Sequence, residues 1–361
     1  MTRWPSDPPA STDVEVSLFG PGRGECCLVH LGSGRWMVVD SCIDQRTGRV
    51  PALDYLDAIG VDAATSVDLV IGTHAHQDHI AGLASVYERC ASARFVIPQA
   101  LRNDDYFALL QEESGPIASR GTYNEYSRIF DMVRHRPLTI PPYIKFAIAD
   151  RYLLERSAGA PADVRVLAPS DEAVTRAIKA IAAVRVANDA GRPPPRSNAN
   201  ETSIALWIDA GSTRLLLGGD VERGPANCGW AAVVDGFTPI SRAAYFKVPH
   251  HGSPNAHLDA VWNTLLEPNV ISTLAPFRLG KNARPNATDR QRIKEASGEA
   301  YATAATKRPA LSKQAKEEVL HFGNLARSVH DPYGACGQVR ARHTAETNRW
   351  TVQTYGQAYK M

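Results

Sequence analysis

Four potential metal ligands lie within six residues of one another, directly after an apolar stretch that is predicted to be a buried strand. The stretch is Val67–Gly72, and the ligands that follow it are His74, His76, Asp78 and His79. In an extended backbone, His74 and His76 point to one side and can share a metal ion. Asp78 and His79 begin the next predicted helix and can turn toward a second ion. Imidazole and carboxylate ligands suit zinc, manganese or iron better than magnesium or calcium.

The elements around this segment alternate between strand and helix. Before it, Val14–Phe19, Glu25–Leu31 and Trp36–Asp40 are β-rich runs joined by glycine-rich turns, which predicts an antiparallel meander. After it comes a helix predicted over Asp78–Glu88, followed by further strands and helices, so the pattern is typical of an α/β layered protein. The region from about 98 to 163 is less regular. We interpret it as a lid-like insertion over a site, with a plain structural excursion as the alternative.

The H-x-H-x-D-H pattern of residues 74–79 resembles the signature of the metallo-β-lactamase-fold hydrolases. Two later segments fit the same family: Leu215–Asp220 is an apolar run that ends in an aspartate, and Tyr245–Ser253 contains a run that ends in two histidines. Asp40 resembles the structural aspartate that supports the ligand loop in this family. The resemblance implies an αββα sandwich, which we predict as a single domain over residues 1–361.

The same resemblance implies two divalent metal ions, zinc or manganese. The ligands it implies are His74 and His76 for the first ion, Asp78, His79 and one of His250 and His251 for the second, and Asp220 as the bridge between them. Two ions about 3.5–4 Å apart can share a hydroxide that is nucleophilic near neutral pH. No serine or cysteine nucleophile is then needed.

One of the two adjacent histidines, His250 and His251, is expected to bind metal and the other to face substrate. In an extended strand their side chains point to opposite sides, so the sequence leaves the choice open and favours His250 as the ligand only slightly. We therefore assign His251 to catalysis, together with Asp78 and with Ser253, whose hydroxyl can donate a hydrogen bond to a phosphate. A tight turn at Gly252 and Ser253 is the alternative interpretation.

The chain departs from the commonest pattern of this family at one position. A further histidine is expected before Asp220, but that interval holds only His135, which comes too early, and the matching region reads Asn198–Ser203. The first ion would then lack one imidazole. Together with the opening Leu18–Glu25 and the segment Val248–Ser253, this region resembles the hydrolase domain of the bacterial DNA-uptake channel ComEC and its soluble relatives. That resemblance implies hydrolysis of a phosphodiester.

The composition is that of an ordinary globular protein. Of 361 residues, 44% are hydrophobic and 22% are charged, and the formal net charge is +2. Six scattered cysteines match neither a disulfide framework nor a paired zinc site, and Cys26 and Cys27, in an apolar strand-like run, are predicted to be buried free thiols. Neither a secretory signal nor a membrane span is expected, so we predict a cytoplasmic protein without a membrane partner. The sequence does not identify a protein partner.

Basic residues concentrate in a C-terminal portion that starts at about residue 277, where they outnumber acidic residues by eight. Arg278, Lys281 and Arg284 follow a predicted strand end and can form an entry for a polyanion, with a solvated basic loop as the alternative. Lys247 can likewise face a phosphate, although a solvated strand edge is the favoured interpretation.

Together these features predict a metal-dependent hydrolase that uses metal-bound hydroxide to cleave a phosphodiester, with DNA or another nucleic acid as the favoured substrate. One alternative is a hydrolase of a small ester, thioester, lactone or lactam at the same dinuclear site. Another is a low-turnover metal-binding component of a larger bacterial assembly. The missing histidine favours the last alternative, whereas Asp78, Asp220 and the two adjacent histidines count against it.

Overall fold

Two sheets of eight strands each lie face to face, with helices packed on their outer surfaces. The structure, a computed structural model, describes residues 4–21, 24–102, 115–136, 144–189, 198–278, 283–307, 312–323 and 335–361. The layering confirms the predicted α/β class and the αββα sandwich.

The strands in the described part of the chain are β1 (Val14–Gly20), β2 (Cys26–Gly32), β3 (Arg35–Val39), β4 (Val67–Ile71), β5 (Arg94–Pro98), β6 (Ile144–Ala147), β7 (Tyr152–Leu154), β8 (Asp163–Ala168), β9 (Ala205–Asp209), β10 (Arg214–Leu217), β11 (Ala243–Lys247), β12 (Leu266–Leu274), β13 (Glu299–Ala302), β14 (Gly337–Thr344), β15 (Arg349–Tyr355) and β16 (Tyr359–Lys360).

The α-helices in the same ranges are α1 (Pro51–Ala58), α2 (Ala63–Ser66), α3 (Gln77–Ile80), α4 (Leu83–Arg89), α5 (Gly115–His135), α6 (Asp171–Asp189), α7 (Gly229–Gly236), α8 (Asp259–Thr264), α9 (Ala287–Ala296) and α10 (Lys313–Gly323). Within the described residues, no helix combines the length and the apolar character needed to cross a bilayer.

Both sheets mix parallel and antiparallel strands. The first has the order β15-β14-β1-β2-β3-β4-β5-β6, and the second has the order β16-β13-β12-β11-β10-β9-β8-β7. The predicted meander is confirmed, because β1, β2 and β3 pair antiparallel. Strands β3 to β6 and β10 to β13 run parallel. Each sheet therefore has one edge at which several parallel strands end together, and such edges are where α/β proteins bind ligands.

Alternation along the strands builds the core. In β2, Val29 and Leu31 face the opposite sheet, whereas Cys26 and Leu28 face the outer helices. Full burial of an aliphatic side chain of this kind stabilises a fold by about 1.5–3 kcal/mol. All six cysteines are buried and form no disulfide, which confirms the prediction for Cys26 and Cys27.

The single helix predicted over Asp78–Glu88 is wrong in one respect, because the chain forms two short helices there, α3 and α4. Gly82 separates them with a φ of +83°. A Cβ atom at Gly82 would lie 2.9 Å from Cγ2 of Val50, so the position has little room for a side chain. The break lets α3 carry the metal-ligand segment in an orientation independent of α4.

The described part of the predicted insertion is an integral part of the sandwich, with β6 and β7 as edge strands of the two sheets and α5 in the outer helical layer. Helix α5 packs against α3 and α4, and its Tyr126 and Ile129 are fully buried. The Glu125 carboxylate accepts a hydrogen bond from the Ala84 N–H at 2.8 Å. Residues 103–114 and 137–143 lie outside the described residues, and the lid function stays a prediction.

Candidate metal centre

The predicted ligands lie where parallel strands of both sheets end. In the first sheet, β4 leads into His74; in the second, β10 leads into Asp220 and β11 leads into His251. His74 Nε2 lies 3.8 Å from Asp220 Oδ2 and His251 Nε2 lies 3.7 Å from the same oxygen. The two sheets therefore contribute ligands to one cluster.

Asp40, at the end of β3, fixes the ligand segment by accepting hydrogen bonds from Thr73 and His79. Its Oδ1 accepts a hydrogen bond from the Thr73 N–H at 2.7 Å, and its Oδ2 accepts one from the Thr73 hydroxyl at 2.7 Å. The same Oδ2 accepts from His79 Nδ1 at 2.7 Å. A carboxylate on Nδ1 fixes the tautomer of an imidazole and leaves Nε2 for a metal. This geometry agrees with the supporting role that the resemblance implied for Asp40.

Imidazole and carboxylate atoms converge here at spacings that suit metal ligands. His74 Nε2 and His76 Nδ1 are 3.0 Å apart, and these two residues form what we call the open subsite. Asp78, His79 and His251 form the buried subsite: Asp78 Oδ2 lies 3.2 Å from His251 Nε2 and 4.0 Å from His79 Nε2. Two nitrogens bound tetrahedrally to one zinc ion lie about 3.3 Å apart, given Zn–N bonds of about 2.0–2.1 Å.

Asp220 lies between the two subsites. Its Oδ2 is 3.3 Å from His79 Nε2, 3.7 Å from His251 Nε2 and 3.8 Å from His74 Nε2. Its Oδ1 points away and accepts a hydrogen bond from the backbone N–H of His250 at 3.2 Å. One carboxylate oxygen is therefore available to both subsites while the other is held by the protein.

The expectation of an extended strand through the two adjacent histidines is wrong. Strand β11 ends at Lys247, and His250 and His251 have φ values of +48° and +51°. Pro249 precedes them and has no N–H to continue a ladder. Its carbonyl accepts a hydrogen bond from the Gly252 N–H at 3.0 Å, which closes a turn.

This turn brings His251, and not His250, into the buried subsite. His251 Nε2 faces Asp78, and its Nδ1 donates a hydrogen bond to the Ala275 carbonyl at 2.9 Å. The side chain of His250 turns away, with Nδ1 3.4 Å from Glu222 Oε1. The geometry therefore reverses the slight preference for His250 and favours His251 as the metal ligand.

Two charged residues beneath the ligands were misjudged or missed from sequence. Lys247 is buried, not at a solvated strand edge, because β11 lies in the sheet interior between β10 and β12. Its ammonium forms an ion pair with Glu25, which sequence reasoning did not single out, and donates to the Gly219 carbonyl at 2.9 Å. The available signal was a lone lysine in an apolar run just before two histidines.

The electrostatics of the cluster favour bound cations. Burial alone would lower the pKa of His79, but the Asp220 and Asp40 carboxylates hold that pKa well above its usual range. Burial alone would raise the pKa of Asp220 and of Asp78, but His79 holds both well below the usual value. Burial and the neighbouring His79 lower the pKa of His74. Ionised carboxylates and the neutral His74 imidazole are forms that bind metal, and the negative charge that raises the pKa of His79 would equally attract a cation, whose binding to His79 releases a proton.

A polar corner made of Asn200, Glu222 and His250 lies on the other side of this cluster. Asn200 Nδ2 donates a hydrogen bond to Glu222 Oε1 at 3.0 Å and lies 3.4 Å from His250 Nε2. Nearby, Ser203 Oγ lies 3.5 Å from His74 Nδ1 and accepts a hydrogen bond from the Asp220 N–H. The segment without the expected histidine therefore does lie beside the open subsite.

Ser253 follows the turn that carries His251. It is half-buried, and its hydroxyl makes no hydrogen bond to the residues that the structure describes. Arg292 of α9 donates a hydrogen bond to the Gly252 carbonyl at 2.7 Å. This contact fixes the turn and leaves the Ser253 hydroxyl free to contact a ligand.

The arginines of the basic loop, Arg278 and Arg284, make hydrogen bonds within the protein, which leaves them less available to a polyanion. Arg278 Nε donates to the Ala305 carbonyl at 2.9 Å, and Arg284 Nη1 donates to the Asp289 carboxylate at 3.2 Å. Lys281 lies outside the described residues. The two arginines therefore serve the packing of this loop.

The donor set fits divalent metal ions. His79 Nε2 is buried without a hydrogen-bond partner among the described residues, although it lies close to two carboxylates. Three groups have ligand atoms within 4.8 Å of one another: His74, His79 and Asp220; Asp78, His79 and His251; and Glu25, Asp40 and His79. An arrangement of this kind can polarise a scissile bond and activate water.

Residues 19–166 match the family model described as Metallo-beta-lactamase superfamily. The match includes His74, His76, Asp78 and His79 and ends before Asp220. No curated protein matches the chain.

Among solved structures, the fold is similar to that of YhfI from Bacillus subtilis, a metallo-beta-lactamase fold protein. The two are 14% identical with a TM-score of 0.39 over 86% of this chain and 92% of that one. It is also similar to BJP-1, a subclass B3 metallo-beta-lactamase of Bradyrhizobium japonicum, at 13% identity and a TM-score of 0.31, over 62% and 70% of the two chains.

Proposed function

We propose that this chain, which contains a metallo-beta-lactamase superfamily domain, is a metal-dependent phosphodiesterase that acts on nucleic acid. The observation that carries the proposal is the convergence of imidazole nitrogens from both sheets around a single oxygen, Asp220 Oδ2. A cluster of this kind at the ends of parallel strands is suited to hydrolysis.

Two divalent ions, zinc or manganese, would be held by the open subsite, the buried subsite and Asp220 between them. Such ions, when bound, lower the pKa of water toward neutrality and polarise a phosphoryl oxygen. The chain orients its own ligands for this purpose. Asp40 accepts from His79 Nδ1, and the Ala275 carbonyl accepts from His251 Nδ1, so both Nε2 atoms face the centre.

Polar groups beside the subsites support recognition of a phosphodiester. The Ser253 hydroxyl is free of other described residues, and a phosphate oxygen is a strong acceptor for such a donor. Asn200, which lies 3.4 Å from His250 Nε2, belongs to the same segment as Ser203, which contacts His74 of the open subsite, so Asn200 and His250 can contact a second non-bridging oxygen or the leaving group. We assign Asp78 and His251 to metal binding and Ser253, with the polar corner, to substrate.

The resemblance to the ComEC-type hydrolase domain supports the same substrate class. It rests on Leu18–Glu25, Asn200–Ser203 and Val248–Ser253. Two of these segments flank the cluster directly: Glu25 pairs with Lys247, and Ser203 contacts His74. The third supplies His251.

A hydrolase of a small ester or lactam is the second candidate, and the basic loop favours it. Arg278 and Arg284 are engaged with internal partners, so the described part of that loop offers a nucleic acid less free positive charge than the sequence suggested.

The test is cleavage of plasmid DNA, single-stranded DNA and RNA by metal-depleted protein reconstituted with manganese or zinc. We expect cleavage that EDTA abolishes and that His251→Ala reduces by more than about 100-fold, since removal of outer-shell partners alone already costs about 10–100-fold. His135→Ala is the matched control, because His135 is exposed on α5 and donates only to the Asp131 carbonyl. Hydrolysis of a lactam or thioester without nuclease activity would replace the proposal by the second candidate.

A further inference from the structure

A buried lysine lies directly beneath the candidate metal centre. Lys247 is 3% exposed, its ammonium pairs with Glu25 and donates to the Gly219 carbonyl, and it lies 3.8 Å from Asp220 Oδ1. Burying a charged pair is costly, and hydrophobic residues of similar volume often give equal or greater stability. The stability of the sheet therefore gives no reason for an ion pair at this position.

Glu25 contacts the ligands of the buried subsite from the same side. Its Oε1 lies 3.8 Å from His79 Nδ1, and its Oε2 lies 3.5 Å from His251 Nδ1. Its backbone N–H donates to the Asp78 carbonyl at 3.0 Å. A Cβ atom at Gly24 would lie 1.9 Å from that carbonyl oxygen, so only glycine allows this close approach. The carboxylate of Glu25 is thus fixed against the ligand segment.

The ion pair joins the two sheets at the ligands. Glu25 precedes β2 in the first sheet, and Lys247 ends β11 in the second. On the Asp220 carboxylate, Lys247 and the His250 N–H both lie on the Oδ1 side, which leaves Oδ2 for the histidines of both subsites. One pair therefore touches ligands from three separate segments of the chain.

We propose that Glu25 and Lys247 are positioning residues that set the metal affinity of the centre. Lys247 holds the Asp220 carboxylate so that Oδ2 faces both subsites, and Glu25 places a negative charge beside the Nδ1 atoms of His79 and His251, which makes their Nε2 atoms better metal ligands. The inference rests on the proposed function, since it takes the cluster to be a metal site. It concerns metal affinity and not the reaction, so it can be tested without a substrate.

The test compares metal binding and thermal stability in four variants. Zinc and manganese are titrated calorimetrically into metal-free wild type, Glu25→Gln, Lys247→Met, the double variant Glu25→Gln/Lys247→Met and the control Glu15→Gln. Glu15, on strand β1, is the matched control because its carboxylate is also buried and accepts a hydrogen bond from a cation, Arg342. The double variant is decisive because it buries no unpaired charge.

We expect Lys247→Met and the double variant to bind the tighter ion about 10–100-fold more weakly than wild type, the usual cost of losing an outer-shell partner. The double variant should regain much of the thermal stability that Lys247→Met loses, without regaining affinity. Glu15→Gln should lose stability and keep its affinity. Wild-type affinity in the folded double variant would overturn the proposal. Absence of zinc and manganese binding in the wild type would contradict the proposed function itself, and the inference about Glu25 and Lys247 would then have no basis.

Discussion

The buried subsite and the open subsite of the candidate metal centre differ in how many hydrogen bonds the protein makes to their histidines. In the buried subsite, His79 and His251 are buried, and the Nδ1 atom of each donates to an oxygen of the protein, on Asp40 and Ala275 respectively. In the open subsite, His76 is exposed, and its Nε2 has no hydrogen-bond partner among the residues that the structure describes.

This difference predicts unequal metal affinities within one centre. Outer-shell partners orient ligands and raise their basicity, and each is typically worth about 10–100-fold in affinity. The buried subsite has such partners on both histidines. The open subsite lacks them on His76, and the segment Asn198–Ser203, which contacts His74 through Ser203, supplies no third histidine. We expect the buried subsite to bind the first ion tightly and the open subsite to bind the second weakly.

The largest effect should come from the residue that both subsites share. Asp220→Asn weakens the anionic oxygen that lies within 3.8 Å of His74, His79 and His251. Elemental analysis after dialysis should find less than one ion per chain. Asp209→Asn is the control, since Asp209 pairs with Arg214 at 3.1 Å at the end of β9. Full metal content in Asp220→Asn would show that Asp220 is not shared.

The next largest effect should distinguish the variants of the two adjacent histidines, His251 and His250, by their zinc affinity. His251→Ala should abolish the tight class of sites in a calorimetric titration with zinc, because it removes a buried ligand next to Asp78. His250→Ala should retain that class, since its side chain faces Glu222. Loss of tight binding in His250→Ala alone would return the ligand assignment to His250.

A smaller effect is expected at the open subsite. His76→Ala should remove the weak class and leave the tight class unchanged, because His76 contacts only His74 within the cluster. The same titration measures both classes. If His76→Ala removes the tight-binding site instead, the open subsite has the higher metal affinity, contrary to our expectation.

The smallest effect should come from the opposite edge of the first sheet. Asp62 accepts a hydrogen bond from the Ala64 N–H at 3.1 Å and caps α2, which leads into the start of β4 and not into its ligand end. Asp62→Ala should lower the free energy of unfolding by about 1 kcal/mol. Chemical denaturation measures this, and metal binding should not change. Altered metal affinity would mean that the subsites depend on global stability.

Local sequence was sufficient wherever the site is built from contiguous residues. The apolar run Val67–Gly72 and the ligand spacing after it predicted both a buried strand and the segment that carries His74 to His79. The antiparallel meander was predicted in the same way, from apolar runs and turns, whereas the αββα sandwich was implied by the family resemblance. Gly82 was the exception, because the room for a side chain there is limited by Val50, which is distant in the chain.

The sequence by itself determined the α/β class and the ligand segment from His74 to His79, because periodicity and spacing are properties of neighbouring residues, and its family resemblance added Asp220 and the two adjacent histidines. Only the tertiary structure placed His251, and not His250, beside Asp78 and Asp220, since the positive φ angles after Pro249 replaced the extended strand on which the prediction depended. Only the tertiary structure revealed that Lys247 is buried against Glu25, because the two residues are far apart in the chain and meet across two packed sheets. Contacts of this kind depend on sheet order and packing, which no local pattern encodes.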